Sequence, residues 1–204
     1  GEPPFIDFGM FDNKDLRRDV TVTTTGLGGV ADEKMLLFKK GSTTSGGLSL
    51  NKWDYSRMSD KTNAIKQRVA GINAPVMRLG DMILLLAETY SVLGDDASAK
   101  AELLKIRQRA FNPADTEYAL KTTTYVNGKS GATLLAAIQD ERAFELGGEG
   151  QRKMDLVRWG LLGQKVNELQ TQMTAMADAL RATGSYTFPN GNVISASIYI
   201  KDVT

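Results

Sequence analysis

The chain of 204 residues contains no cysteine and no histidine. The first absence excludes a disulfide frame, a thiolate zinc site and a cysteine nucleophile. The second excludes a Ser-His-Asp relay and any metal site that relies on imidazole. An enzyme built from this sequence is left with carboxylates, lysine or tyrosine. Charge of one sign is not in excess either: 25 Lys and Arg stand against 24 Asp and Glu, a formal net charge of +1. No run of like charges hides in that balance, so a nucleic-acid partner, which requires clustered positive charge, is not expected. The longest apolar run, MILLLA at 82–87, is far short of the roughly 20 residues of a membrane-spanning helix. The amino-terminal GEPPFIDFG has neither a basic start nor a hydrophobic signal core. The chain is therefore expected to be processed or to be a fragment of a longer protein, with any membrane anchor outside these residues. No cofactor and no metal is expected.

What is present is a globular composition, 42% apolar, in a chain long enough for one well-buried core. Residues 1–72 read as a loop-rich segment with short strands. Thr, Ser and Gly tracts at 21–30 and 41–50 flank the apolar MLLF at 35–38. The character changes at Pro75, which suits a first helical turn. Beyond it Val76, Leu79, Ile83, Leu86, Ala87, Tyr90 and Leu93 recur at intervals of three and four, an amphipathic helix with an unusually wide apolar face. Gly94 stops that helix, and Asp95 or Asp96 can cap the next, whose stripe is Ala99, Leu103, Ile106 and Ala110. Helices joined by so short a turn are expected to pack antiparallel, and the spacing partly matches a tetratricopeptide pair.

The polar stretch 112–131 suggests a small hairpin at Asn127-Gly128. Further helices are predicted from about Ala132 to Leu146, from about Gly150 to Trp159, and through QKVNELQTQMTAMADALRAT, where Val166, Leu169, Met173, Met176 and Leu180 are in register. Gly147-Gly148 separates the first two. Asn190-Gly191 is a hairpin signal, followed by alternation at Ile194, Ala196, Ile198 and Ile200. The expected fold class is mainly α, with tetratricopeptide-like antiparallel helix pairs, a loop-rich region and small β-hairpins. Its segments are a loop-rich 1–72, a helical core 73–182 and a hairpin 183–204, together one structural unit.

Three stretches invite chemical readings. Gly128-Lys129-Ser130 resembles the end of a phosphate-binding loop, but Thr123 occupies the position of the required first glycine, and no strand leads in. Glu141, Glu145 and Glu149 fall four apart in QDERAFELGGEGQRKMDLVRWG. A glycosidase needs two carboxyls roughly 5–9.5 Å apart across a cleft, and a carboxylate di-iron site needs Glu-x-x-His pairs. The more economical reading is a structural ion-pair network that includes Arg78, Glu88, Arg107, Glu141, Arg142, Glu145, Glu149, Arg152, Asp155 and Arg158. The interleaved Phe144, Leu146, Met154, Leu156, Val157 and Trp159 favour its partial burial, with Trp159 in the core. Trp53, Tyr55 and Tyr125, set in polar surroundings, are the aromatic candidates for stacking on a sugar.

RLGDMILLLAETYSVLGD, AELLKIRQRA and LLAAIQDERAFELGGEGQRKMDLVRWG together resemble the C-terminal region of the SusD/RagB family. The matching positions include Arg78, Leu79, Ala87, Glu88, Arg107, Arg109, Glu141, Arg142, Glu145, Glu149, Arg152, Asp155, Arg158 and Trp159. DLRRD at 15–19 and Lys52-Trp53 resemble its lead-in segments. Gly80-Asp81 departs from a more usual Ala-Glu, and the family's closing proline-rich segment is missing. The resemblance implies tetratricopeptide-like helix pairs with a loop-rich ligand face. It also implies a non-enzymatic, surface-exposed outer-membrane lipoprotein, on the extracellular side, that captures an oligosaccharide or other nutrient for a TonB-dependent transporter. In that family the motif residues are scaffold, so they leave the ligand contacts unassigned. A tetratricopeptide-type protein-interaction scaffold and a carboxylate-only glycoside hydrolase are the alternatives.

Overall fold

The apolar spacing and capping residues translate into helices with nearly the predicted bounds. A computed structural model describes residues 9–23, 25–27, 33–35, 49, 50, 52 and 76–195. The mainly α chain runs α1 (Arg18–Thr21), β1 (Val22–Thr23), β2 (Thr25–Leu27), β3 (Glu33–Met35), β4 (Ser49–Leu50), α2 (Leu79–Val92) and α3 (Asp96–Ala110). A π-helical turn (Leu120–Thr124) then leads into α4 (Tyr125–Asn127), α5 (Gly131–Glu145), α6 (Arg152–Arg158), α7 (Leu162–Thr183), β5 (Ser185–Thr187) and β6 (Val193–Ser195). Trp53, Tyr55, Pro75, most of the MLLF run and the alternating positions Ala196, Ile198 and Ile200 lie outside the described residues. The chain divides into two compact units, one of residues 13–18 and 75–152 and the other of residues 1–12, 19–74 and 153–204.

The first, helical unit is built on α2, α3 and α5. The turn between α2 and α3 closes with the Asp95 N–H donating to the Tyr90 carbonyl at 2.9 Å. The Asp95 side chain then accepts from the Ser98 N–H at 3.0 Å, capping α3. At the start of α5 the Thr133 hydroxyl accepts from the Ser130 N–H at 3.0 Å, and Asp96 accepts from the Gly131 N–H at 2.9 Å. The starts of α3 and α5 are thereby tied together. Leu84 and Ala87 from α2, Leu103 and Ile106 from α3, and Leu134 and Ile138 from α5 meet in one buried cluster. Burying each of the larger side chains stabilises by roughly 1.5–3 kcal/mol.

The α3 stripe of Ala99, Leu103, Ile106 and Ala110 is buried throughout. The α2 stripe divides. Ala87 is buried and Ile83 and Tyr90 pack against the core, but Leu79, Leu86 and Leu93 are exposed, and so is Val76 just before the helix. A face wider than the contact area of two neighbouring helices leaves its flank in solvent. No hairpin forms at Asn127-Gly128, where helical backbone runs on from Leu120 to Asn127 and buries Thr122 and Val126. An Asn-Gly pair makes a two-residue hairpin turn only between strands that can pair. Here the flanking residues contribute more by packing as helix.

In the second unit, β1 pairs antiparallel with β4, β2 with β3, and β5 with β6. The last is the hairpin signalled by Asn190-Gly191: the Phe188 N–H donates to the Asn192 carbonyl at 2.7 Å across the loop. Val22 and Phe188 form a small buried core, with Leu169, Met176 and Leu180 of α7 and Tyr186 packed against it. Val166 and Met173, from the same α7 stripe, are exposed.

Candidate functional site

The charged stretch 139–160 ends α5, crosses a glycine-rich loop and forms α6. Gly148, at φ +78°, adopts the left-handed conformation that breaks the helix. Before the break, Glu141 and Glu145 lie four residues apart on one edge of α5. Both carboxylates are buried, and both receive guanidinium groups from other elements. Arg107 of α3 donates to Glu141 Oε2 at 2.7 Å, and Arg17 Nη1 stands 2.8 Å from Glu141 Oε1. Arg17 Nη1 also reaches Glu145 Oε2 at 3.1 Å, while Arg78 and Arg109 both donate to Glu145 Oε1. Arg78 continues the chain of charge to Glu149, its Nε 2.8 Å from Oε2.

The guanidinium groups of Arg107, Arg17 and Arg78 are each used more than once. Arg107 Nε and Nη2 donate to the Lys121 carbonyl at 2.9 and 2.7 Å, which holds the π-helical turn against α3. Arg17 clamps the Asp15 carboxylate through Nε at 2.9 Å and Nη2 at 2.6 Å, the two-pronged geometry available to arginine but not to lysine. Arg142, buried, pairs with the Asp81 carboxylate at 2.8 Å. Arg152 donates to the Gln139 carbonyl at 3.1 Å. Glu88 is buried on α2. In the second unit, Arg158 pairs with Asp155 at 2.9 Å one turn away on α6. Arg158 also stands 4.6 Å from the centre of the Trp159 ring. Trp159 is only half-buried, and Met154 and Val157 are exposed, while Leu146 and Leu156 are buried. Seven residues of α6 turn too few faces inward to bury every apolar side chain of the stretch.

These carboxylates are poorly arranged for acid–base work. Burial would raise the Glu145 carboxyl, but hydrogen bonds from Arg78 and Arg109 and the charges of Arg17 and Arg78 outweigh it and hold it at about 2. A general acid needs a carboxyl kept protonated near the working pH. Glu145 is driven the opposite way. Gly128-Lys129-Ser130 follows helical backbone rather than a strand and leads into α5, so it forms no phosphate-binding loop.

Gly80 acquires a purpose here. A Cβ at this position would stand 2.6 Å from Glu145 Oε1 and 2.7 Å from Arg78 Nη1. The carboxylate and the guanidinium to which these atoms belong are each held by more than one partner and cannot easily yield. Gly80→Ala gains helix propensity of about 1 kcal/mol but overpacks a rigid cluster at a typical cost of about 1–3 kcal/mol. A net loss of about 1 kcal/mol in urea unfolding is expected, and a more stable variant would contradict this account.

Tyr125 begins α4 and packs against the helical core. The Arg107 guanidinium stands 3.9 Å and the Lys129 ammonium 4.7 Å from its ring centre, cation–π distances. Trp53 and Tyr55, the other two aromatic candidates, lie outside the described residues. Four residues of the network, Asp15, Arg17, Asp81 and Arg109, were not singled out as pairing groups by sequence reasoning. DLRRD is dense in charge, but nothing local says that Arg17 lies against Glu145, 128 residues away.

A helical unit registered by a buried carboxylate–guanidinium network defines a scaffold class, in which conspicuous charge is structural. The chain belongs to the SusD family, whose model matches residues 7–192. It is similar to the SusD-like protein P25 of Formosa agariphila, with 40% identity over 98 residues. That match covers 48% of this chain and 17% of the relative, so the chain spans less than a fifth of the relative's length. No solved structure matches the chain significantly.

Proposed function

We propose that the chain is part of a non-enzymatic glycan-binding component of an outer-membrane uptake complex, one that captures nutrient for a TonB-dependent transporter. Membership of the SusD family over residues 7–192 carries this reading. The network supports the non-enzymatic part, since Arg78, Arg109 and Arg17 occupy the Glu145 carboxylate and Arg107 and Arg17 that of Glu141. Among the described residues no helix is long and apolar enough to cross a membrane. The proposed location is the extracellular face of the outer membrane. Tetratricopeptide-like helix pairs would provide the rigidity. Trp53 and Tyr55 are the proposed stacking residues, with Tyr125 contributing only through the part of its ring left exposed.

The test is a glycan array probed with the full-length protein carrying this chain, combined with co-purification from outer membranes. Binding to a restricted set of glycans is expected, weakened at least about tenfold by Trp53→Ala or Tyr55→Ala, the loss of one stacking contact or hydrogen-bonded ring. Absence of any glycan binding would remove the assignment. The exposed Val76, Leu79, Leu86 and Leu93 favour a second reading, a tetratricopeptide-type scaffold that takes a partner protein on α2. Recovery of a soluble peptide partner without a transporter would favour it.

A further inference from the structure

Between one side of α7 and the β5–β6 hairpin lies a groove of about 790 Å³, within the roughly 300–1,000 Å³ of small-molecule clefts. Gln164, Asn167 and Thr171 recur three and four residues apart, and Gln172 lies beside them, so this side of α7 lines the groove with amides and a hydroxyl. The facing wall, including Tyr186, Phe188 and Pro189, is apolar. The two rings meet edge to face with centres 5.0 Å apart.

That wall is braced. The Asn190 amide nitrogen lies 3.0, 3.1 and 3.3 Å from the carbonyls of Gly9, Met10 and Phe11. Asn192 adds hydrogen bonds to the carbonyls of Gly9 at 3.0 Å and Phe11 at 2.5 Å. A Cβ on Gly9 would sit 2.0 Å from the Phe188 ring, so the backbone is pressed directly against it. Behind the rings stand Val22, Leu169, Met176 and Leu180. A wall held in this way costs little ordering when a ligand arrives.

We infer that this groove binds a neutral oligosaccharide, a contact surface separate from Trp53 and Tyr55; the inference rests on the nutrient-capture reading above. A sugar ring has an apolar C–H face and a rim of hydroxyls, matching the half-buried Tyr186 ring and exposed Pro189, backed by the buried Phe188, opposite amides. Neutrality follows from the lining. Among the described residues no Lys or Arg lines the groove, and the one acid that does, Glu168, is taken up by Lys165 at 2.8 Å and Gln164 at 2.7 Å. An anionic sugar would find no counter-charge. An alkyl chain would strip water from the Asn167 and Gln172 side-chain amides, which have no protein hydrogen-bond partner among the described residues, and would replace none of it.

The test uses the full-length protein carrying this chain, titrated calorimetrically with cellohexaose, mannohexaose and xylohexaose, and with a sulfated hexaose for comparison. Two variants alter only groove-lining positions of α7: Asn167→Ala/Gln172→Ala removes amides, and Ala175→Trp fills the groove. Affinity for at least one neutral hexaose is expected to fall about tenfold in the double variant, the loss of one or two hydrogen bonds, and further in Ala175→Trp. Unchanged melting curves show that both variants fold. Neutral-sugar binding indifferent to both variants overturns the groove and leaves nutrient capture standing, with its site elsewhere. Groove-dependent binding of the sulfated sugar alone overturns the neutral class. Binding of no sugar at all overturns the groove together with the reading it rests on.

Discussion

Glu141→Ala is expected to destabilise the helical unit by about 3–5 kcal/mol, the usual consequence of removing one partner from a buried ion pair. Glu141 is 1% exposed, and the Arg107 and Arg17 side chains it neutralises are 9% and 14% exposed. Losing the carboxylate leaves two guanidinium groups out of bulk water with one fewer anion. It also frees Arg107, which bridges α3 to the Lys121 carbonyl. Urea unfolding measures the loss. Glu117→Ala is the control, because its 45%-exposed side chain pairs with Lys14 at the surface, where an ion pair contributes about 1 kcal/mol or less. A loss below about 1 kcal/mol in Glu141→Ala would show that water reaches the site and that the pairing adds little. Replacing Glu141 and Arg107 together by methionine should recover part of the stability, because apolar packing avoids the desolvation that a buried pair must overcome.

The second large effect is a loss of stability in acid. The folded-state value of Glu145, about 2, lies below its ordinary 4.5. A depressed carboxyl contributes stability that is fully present above the unfolded-state value and is lost as pH falls through the folded one. The window therefore runs from about pH 4.5 down to about pH 2, and stability should decline across it by on the order of 3 kcal/mol. Denaturant unfolding at a series of pH values measures this. Glu145→Gln should be less stable at neutral pH and should lose less than the unaltered chain between pH 4.5 and 2. Parallel pH profiles for the two proteins would assign the acid sensitivity to other carboxylates.

Much of the helical architecture was legible because its causes are local. Ala99, Leu103, Ile106 and Ala110 are spaced to face one way, and all four are buried. Asp95 caps α3 through Ser98, and the double glycine after Leu146 ends the α5 run where the spacing of apolar residues also stops. The failures arose where a local signal competed with packing. Asn127-Gly128 has hairpin chemistry, yet Val126 beside it is fully buried and the backbone is helical. The wide α2 stripe was expected as one apolar face, but the core takes its Ile83, Ala87 and Tyr90 together with Leu84, which lies outside the stripe, and Leu79 and Leu93 face solvent.

The sequence by itself determined the mainly α class, most helix ends and the family, because helix periodicity, capping and motif spacing act over a few residues. It also pointed to a partly buried ion-pair network in QDERAFELGGEGQRKMDLVRWG. Which charges meet was decided only by tertiary structure. Arg17 reaches Glu145 across 128 positions, and Gly80 lies against the Arg78–Glu145 pair because of how α2 and α5 pack. The groove beside α7 depends in the same way on distant partners, Asn190 and Asn192 holding the carbonyls of residues 9–11 some 180 positions earlier. An ion pair or a groove wall is a relation between elements. Its energy depends on burial and on distance through space, and neither is written in the residues that flank it.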